Sequence, residues 1–465
     1  MGVGYFQLTV KSEQDKYLVG NPQFTYFKSV HKRHTNFALE NRILNFVGET
    51  TLNTNSNLGK KYYTKIPKIG DLLHRMYIVF ELEGLGNLDS IEKELGITAH
   101  GLIEYVQVSI GDQVIDKHTG DWLHIYTELF GKGSYSLCDM INTHLNTKSN
   151  HSPELKMKDG LVYVPLQFWF NRNIGLSLPL LALQYSDVKL DLQLNRRNMI
   201  SNLDSSKTIK INQIHLLAEF IHLDKDERLL FSSNNHEYLI EQIQINDRLN
   251  VPFKKEMSDE NYENYIHKFE LPFNHPVKEL IWVLQDSNSS HDSKGVSYVS
   301  QERENRGNNL FNYWRNLDWK NQADQLLEAT ISLNGTEMMD PQKAIYFRNV
   351  QKYQYHSDFG YDNLKYLNQT KDFYSNVDYT LGSGIYSYSF ALYPENYEPS
   401  GSLNFSKLDK AELRLKIRRD IFNNTKNDQS NNTYFNLNSK ILKIFALNYN
   451  VLRIMSGHGG LVFQN

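Results

Sequence analysis

The chain has 465 residues, more than one ordinary hydrophobic core accommodates, so two or three domains are expected. Its 50 Lys and Arg stand against 53 Asp and Glu, a net charge of −3, which speaks against nucleic-acid binding as the main task because that task leaves a basic footprint. A single cysteine rules out an intrachain disulfide, and no apolar run approaches the roughly 20 residues that a membrane-spanning helix needs.

In chain order, the opening "MGVGYFQLTV" lacks the basic-then-apolar pattern of a secretory signal. Phe6 occupies the place where a myristoylation signal at Gly2 would carry Ser or Thr. Folding in the cytosol is the expectation. Residues 21–40, "NPQFTYFKSVHKRHTNFALE", then set Phe24, Tyr26 and Phe27 beside Lys28, His31, Lys32, Arg33 and His34. In a net acidic chain these cations read as a structural turn whose charges face a partner, not as a grip on nucleic acid. His31 and His34, three residues apart, would hold a metal only with further ligands, and no Cys or further His stands nearby at suitable spacing.

Strand-like runs dominate the rest. "RMYIVFELE" (75–83), "YVQVSIGDQVID" (105–116), "LVYVPLQFWF" (161–170), "DVKLDLQL" (187–194) and "IHLLAEFIHL" (214–223) are short, apolar or alternating, and bounded by polar or Gly/Pro segments. In "DVKLDLQL" the residues Val188, Leu190, Leu192 and Leu194 share one face, with Lys189, Asp191 and Gln193 opposite, as in a half-buried antiparallel strand. Helices are few. "DWLHIYTELF" (121–130) places Trp122, Ile125, Tyr126 and Leu129 on one helical face, and "DKDERLLF" (224–231) suits a second short helix.

The chain also resembles itself. "VSIGDQVID" from Val108 is similar to "ISLNGTEMMD" from Ile331, "YVPLQFWF" from Tyr163 to "YSYSFALY" from Tyr386, and "LDLQL" from Leu190 to "LRLKI" from Leu413. Each pair is separated by 223 residues (331 − 108, 386 − 163, 413 − 190), and the order is kept. An earlier pair, "MYIVF" (76–80) and "LIWVL" (280–284), is 204 apart, which puts 19 extra residues into the polar stretch 286–309 of the second copy. Two similar β domains follow, of ~200 residues each, joined near 224–236, and the number of strands per copy indicates a sandwich or jelly roll.

Catalytic signatures fail on inspection. "GLGNLD" (84–89) has Asp89 where a dinucleotide fingerprint needs its third glycine, and neither a P-loop lysine motif nor a nucleophile elbow is present. Cys138 reads as a small buried apolar residue rather than a nucleophile. Sequons at Asn288, Asn334, Asn368, Asn404, Asn423 and Asn431 would matter only in the secretory pathway, and read as chance in an Asn-rich chain. No catalytic, cofactor-binding or metal-ligating residue is therefore assigned. The residues leave open an all-β carbohydrate-binding or carbohydrate-active protein, since aromatic-rich sandwiches stack sugars.

Seven segments, in order from Gly20 to Asn465, carry a family resemblance: "GNPQFTYFKSVHKRHTNFALE" (20–40), "IPKIGDLLHRMYIVFEL" (66–82), "IGDQVIDKHTGDWLHIYTEL" (110–129), "VPLQFWFNRNIGLSLPLLALQYSDVKLDLQL" (164–194), "HPVKELIWVLQ" (275–285), "YSFALYPENYEPSGSLNFSKLDKAELRL" (388–415) and "NYNVLRIMSGHGGLVFQN" (448–465). They resemble the major capsid proteins of nucleocytoplasmic large DNA viruses. The resemblance implies an all-β fold of two consecutive eight-stranded jelly rolls with short accessory helices, divided as an N-terminal arm (1–25), a first roll (26–223), a linker (224–236) and a second roll (237–465). It implies a homotrimer forming a pseudo-hexagonal capsomer of an icosahedral shell, assembled in the host cytoplasm. Neighbouring capsomers and minor capsid and penton proteins would be its partners, with no direct contact to nucleic acid and only an indirect one to the internal viral membrane. No cofactor is implied. The apolar residues of 21–40 would pack at the base of the first roll and its charges would face those partners. His458 stands where an apolar residue is expected, and loops 286–309 and 423–432 carry no resemblance.

Overall fold

The computed structural model describes residues 3–10, 12–48, 52–53, 59–83, 99–130, 137, 140–141, 160–195, 210–251, 258, 261, 263–286, 311, 313, 324–357, 384–418 and 440–464. The long polar loop, beyond Asp286, and the loop 423–432 lie outside them, as do Cys138 and the sequons at Asn288, Asn368, Asn423 and Asn431.

Residues 38–465 contain two β-sandwiches built in the same way. The first uses eight main strands: β1 (Phe37–Asn45), β2 (Lys61–Lys65), β3 (Leu72–Glu83), β4 (Ile103–Ile110), β5 (Gln113–Thr119), β6 (Gly160–Pro165), β7 (Val188–Leu194) and β8 (Lys210–Leu223). One sheet runs β1-β8-β3-β6 and the other β2-β7-β4-β5. The second uses β9 (His236–Val251), β10 (His267–Glu270), β11 (Pro276–Asp286), β12 (Leu326–Leu333), β13 (Thr336–Glu337), β14 (Tyr386–Ser389), β15 (Ala411–Ile417) and β16 (Lys440–Met455). Its sheets run β9-β16-β11-β14 and β10-β15-β12-β13. Position by position the two orders are the same: first, eighth, third and sixth strands in one sheet, second, seventh, fourth and fifth in the other. That is the jelly-roll winding, present twice. Short strands at 52–53, 178–179, 342–343, 403–404 and 458–461 extend these sheets.

The turns repeat along with the strands. Gly111 (φ +60°) opens the tight β4–β5 turn, and at the duplicated position Asn334 (φ +49°) and Gly335 (φ +87°) turn β12 into β13. Both residues of that second turn have positive φ, so Asn-Gly suits it. Asn334 is further tied down by exchanging hydrogen bonds with the Lys410 backbone at 2.7 and 3.0 Å.

Each sandwich has its own core. Ile78, Phe80, Val106, Val108, Leu190, Leu192, Leu216 and Phe220 lie in the first, and Leu280, Trp282, Ile331, Leu413, Leu415, Leu442 and Ile444 in the second. The alternation predicted for "DVKLDLQL" holds for its four apolar residues, but Asp191 on the opposite face is also buried. It forms an ion pair with Lys189 Nζ at 2.9 Å and accepts from the Gln107 side-chain amide at 2.9 Å. Two runs divide where sequence alone reads one element. "YVQVSIGDQVID" is a hairpin, and "LVYVPLQFWF" ends as a strand at Pro165 before a helical turn, Trp169–Arg172, takes its aromatic end into the core.

The final hairpin docks on the first sandwich. The strand His458–Leu461 pairs with β16, and Gly457 O accepts the Tyr185 N–H at 2.9 Å while Leu461 N–H reaches Gln113 Oε1 at 3.0 Å. His458 is exposed and lies against the Tyr185 ring, 5.4 Å between centroids, so its polarity leaves the strand intact. Gly457 has φ +79°, and a Cβ there would come within 2.6 Å of the Tyr185 ring. Gly457→Ala is therefore expected to lower stability by about 1–3 kcal/mol, read as a shifted urea midpoint with unchanged slope.

Candidate assembly interface

A buried cluster joins the two sandwiches. Helix Gly120–Phe130 leaves β5 and lays its apolar face on the outer side of sheet β9-β16-β11-β14. Trp122, Ile125 and Leu129 form a third buried cluster with Ile243, Ile281, Val283, Phe445 and Leu447. The Trp122 ring sits 5.7 Å from Phe445 and 5.9 Å from Tyr126, which stacks on Phe130 at 4.8 Å. The face predicted for 121–130 is thus correct, and what it faces is the second sandwich.

Polar groups lock the same junction. Asp121 accepts from Lys443 Nζ at 2.6 Å and from the Tyr313 hydroxyl at 3.3 Å, joining the helix start to β16. Asp116, in the middle of β5, accepts the Ile243 N–H at 3.2 Å and pairs with His118 Nε2 at 2.9 Å. Gln242 donates its amide to the Ile115 carbonyl.

A second layer is ionic. Arg172, from the helical turn after β6, meets Glu241 of β9 at 2.8 Å, and Glu241 also receives Lys278 of β11. Burial pushes the Lys278 ammonium below the ordinary lysine range against the pull of Glu241, and pushes the Tyr126 phenol up. Beside them the fully buried His356 ring contacts Glu279 at 2.7 Å and Glu395 at 3.4 Å. Burial disfavours its charge, but the two carboxylates outweigh that and raise its pKa to about 9. Truncating one member of such a buried set leaves the others uncompensated and is strongly destabilising.

Residues 1–37 form a separate unit. Helices Val3–Thr9 and Lys16–Val19 are followed by turns and extended chain through 36, with Lys16 paired to Glu13 at 2.7 Å. Phe24, Tyr26 and Phe27 are 68%, 88% and 97% exposed. The Phe24 and Tyr26 rings meet edge to face at 5.0 Å. Lys28, His31, Lys32, Arg33 and His34 are exposed as well. His34 Nδ1 lies 2.7 Å from the Thr35 carbonyl. Among the described residues, no cluster of three or more His, Cys, Asp or Glu is placed to hold a metal ion, and no helix is long and apolar enough to cross a membrane.

Comparison with known proteins decides the family. The model for the major capsid protein N-terminus matches residues 25–224, and that for the large eukaryotic DNA virus major capsid protein matches residues 227–460. The major capsid protein of Pyramimonas orientalis virus is 35% identical, with both chains covered in full. The chain belongs to the major capsid protein family of large eukaryotic DNA viruses. The major capsid protein of Paramecium bursaria Chlorella virus 1 is 32% identical over the full length of both chains. A quasi-atomic model of the PBCV-1 virus capsid superposes with a TM-score of 0.67 at 29% identity, covering 95% of this chain and 100% of that one. The Faustovirus major capsid protein shares the fold at a TM-score of 0.61 and 11% identity.

Of the two readings open from sequence, these comparisons support the capsid protein and not the carbohydrate-binding one. Of the two described sequons, Asn404 uses its side-chain oxygen to accept the Ser406 N–H at 3.1 Å, and Asn334 uses its own on Lys410, so both side chains shape turns of the capsid protein's second roll. The ionic layer of Arg172, Glu241, Lys278, Glu279 and His356 escaped sequence reasoning. Its nearest signal was "HPVKELIWVLQ", where two adjacent charges stand inside an otherwise apolar strand run.

Proposed function

We propose that three copies of this capsid protein close into a trimer that presents six jelly rolls as a pseudo-hexagonal capsomer, the tile of an icosahedral shell. The observation that carries the reading is the identical strand order of the two sandwiches, β1-β8-β3-β6 and β9-β16-β11-β14 with their partner sheets. A chain with two like units can fill a sixfold environment with only three copies, and a head-to-tail interface that closes leaves no open filament. On this reading residues 1–25 are an arm, 26–223 and 237–465 the two rolls, and 224–236 the link between them. Neighbouring capsomers and minor capsid and penton proteins contact the assembled tile, which is built in the host cytoplasm. Nucleic acid does not touch it, and the internal membrane does so only through other proteins.

Light scattering of the purified chain at micromolar concentration and near-physiological salt is expected to return three chains per particle. A stable monomer under those conditions would remove the trimer from the reading. The role is structural, without catalysis, cofactor or metal. Cys138→Ser and the double change His31→Gln, His34→Gln are accordingly expected to alter only stability or assembly. A stoichiometric metal lost with the two histidines would contradict this.

A further inference from the structure

Four histidines stand at or beside the junction between the rolls, and they divide by what faces them. His118 of β5 has the Asp116 carboxylate 2.9 Å away, and His356 lies between Glu279 at 2.7 Å and Glu395 at 3.4 Å. His100 and His124 face each other instead, their rings edge to face with centroids 6.3 Å apart. His100 belongs to the turn Ala99–Leu102 of the first roll and is buried, and its Nδ1 meets no hydrogen-bond partner among the described residues. His124 belongs to helix 120–130 and is half-buried. It also stacks on the Phe311 ring at 4.3 Å, with the Tyr313 ring 6.3 Å away. Tyr313 is buried and tied to the second roll by the Gln325 amide, which reaches its carbonyl at 2.6 Å. One imidazole thus touches both rolls.

The charges around this pair are already committed. Asp121 and Glu128 stand three residues before His124 and four after it, on the same side of the helix. Asp121 accepts from Lys443 Nζ at 2.6 Å and from the Tyr313 hydroxyl at 3.3 Å, so its charge is balanced across the junction. Glu128 remains to face His124, and Lys352 of the second roll reaches the Glu128 backbone carbonyl at 3.3 Å. Among the described residues, the titratable group that faces His100 is His124 itself. Burial lowers the His124 ring below the ordinary histidine range against the pull of Glu128 and Asp121. The helix also sits close on its support, since a Cβ on Gly120 would overlap the carbonyl oxygens of His100 and Ile103. Two cations held there part only if the helix lifts from the 99–102 turn.

We propose that His100 and His124 form an acid-operated latch: on taking up protons they drive helix 120–130 off the 99–102 turn and off Phe311, uncoupling the two rolls while each keeps its own core. Both rings are neutral while the junction is shut, and both reach water once it opens. Opening therefore binds protons and is favoured as pH falls below ~6.5. His100 holds its proton only below about 3 in the shut state, against ~6.5 in the open one, so it alone raises the opening equilibrium about 25-fold between pH 7 and 5. His124 adds to that factor. Trp122 lies on the same helix, so the movement also opens the cluster it forms with Phe445. The latch works within one chain and does not depend on the trimeric reading.

Hydrogen exchange of the purified full chain at pH 7 and pH 5, read by mass spectrometry and corrected for intrinsic rates, tests it. Amides of helix 120–130 are expected to open at least about 25-fold more at pH 5 than at pH 7. At pH 5 they should also exchange faster than those of β7 and β15, which lie inside the two cores. His100→Leu should cut the pH 5 to pH 7 ratio by about 25-fold, and His100→Leu combined with His124→Phe should abolish it. His124→Phe alone keeps a ring on Phe311 and should lower the ratio as well, which serves if the buried change prevents folding. Helix amides that exchange no faster than the cores at pH 5 would overturn the latch, because only global unfolding would then release them. A wild-type ratio retained in folded His100→Leu, or in His124→Phe, would overturn it too.

Discussion

Trp122→Ala is expected to destabilise the chain by about 3–5 kcal/mol, the range for removing a large aromatic from a closed site. Trp122 is 1% exposed and meets Phe445, Tyr126, Phe130 and His118 with ring centroids 5.7 to 6.4 Å apart. The cavity would open between the two rolls and not inside either sandwich, because Trp122 belongs to the third cluster and to neither main core. Loss of coupling should therefore accompany loss of stability. Calorimetry of the variant is expected to show a broadened or divided transition where the wild type shows one, since each roll keeps its own core while the contact that makes them melt together is weakened. Lys443→Met, which leaves the carboxylate of Asp121 with the Tyr313 hydroxyl alone, should move stability in the same direction by a smaller amount. A Trp122→Ala chain with an unchanged midpoint and a single sharp transition would show that the junction contributes nothing.

Much of this architecture was legible because a duplication preserves spacing. Matches separated by 223 residues join β4 and β5 to β12 and β13, β6 to β14, and β7 to β15. Strand positions could be read from alternation wherever one face meets a core, as in Val188–Leu194. The rule failed where both faces are buried. Lys278 and Glu279 are adjacent at a register shift of β11, and both are covered, so no periodicity distinguishes them from surface charges. Their partners are remote in sequence: Glu241 for Lys278, His356 for Glu279. Only the folded junction brings them together. The aromatics of 24–27 failed for the opposite reason. Their residue types suit a strand, but the chain there forms turns and extended segments.

Alkaline pH is expected to loosen the same junction through His356. The ring is shut between Glu279 and Glu395, with the edge of Phe130 from the first roll's helix 4.8 Å away. In the folded chain it holds its proton up to about pH 9, because the two carboxylates overcome the cost of burying the cation. In the unfolded chain a histidine gives up its proton near ~6.5. The stabilisation is therefore complete below pH 6.5, shrinks between 6.5 and 9, and is gone above that. It amounts to about 3 kcal/mol at most by linkage. On the acid side the balance reverses at His100, whose pKa is lowered to about 3 by burial and by the neighbouring His124. It stays neutral in the fold while the unfolded chain takes up a proton, so stability falls as pH drops from 6.5 toward 3. Thermal midpoints across pH 4 to 10 should thus peak near neutrality. His356→Gln should lie below the wild type near pH 6 and lose less than it between pH 7 and 9.5, because the proton whose release weakens the wild type is no longer there. Parallel wild-type and variant curves across that alkaline window would show that His356 does not carry the effect.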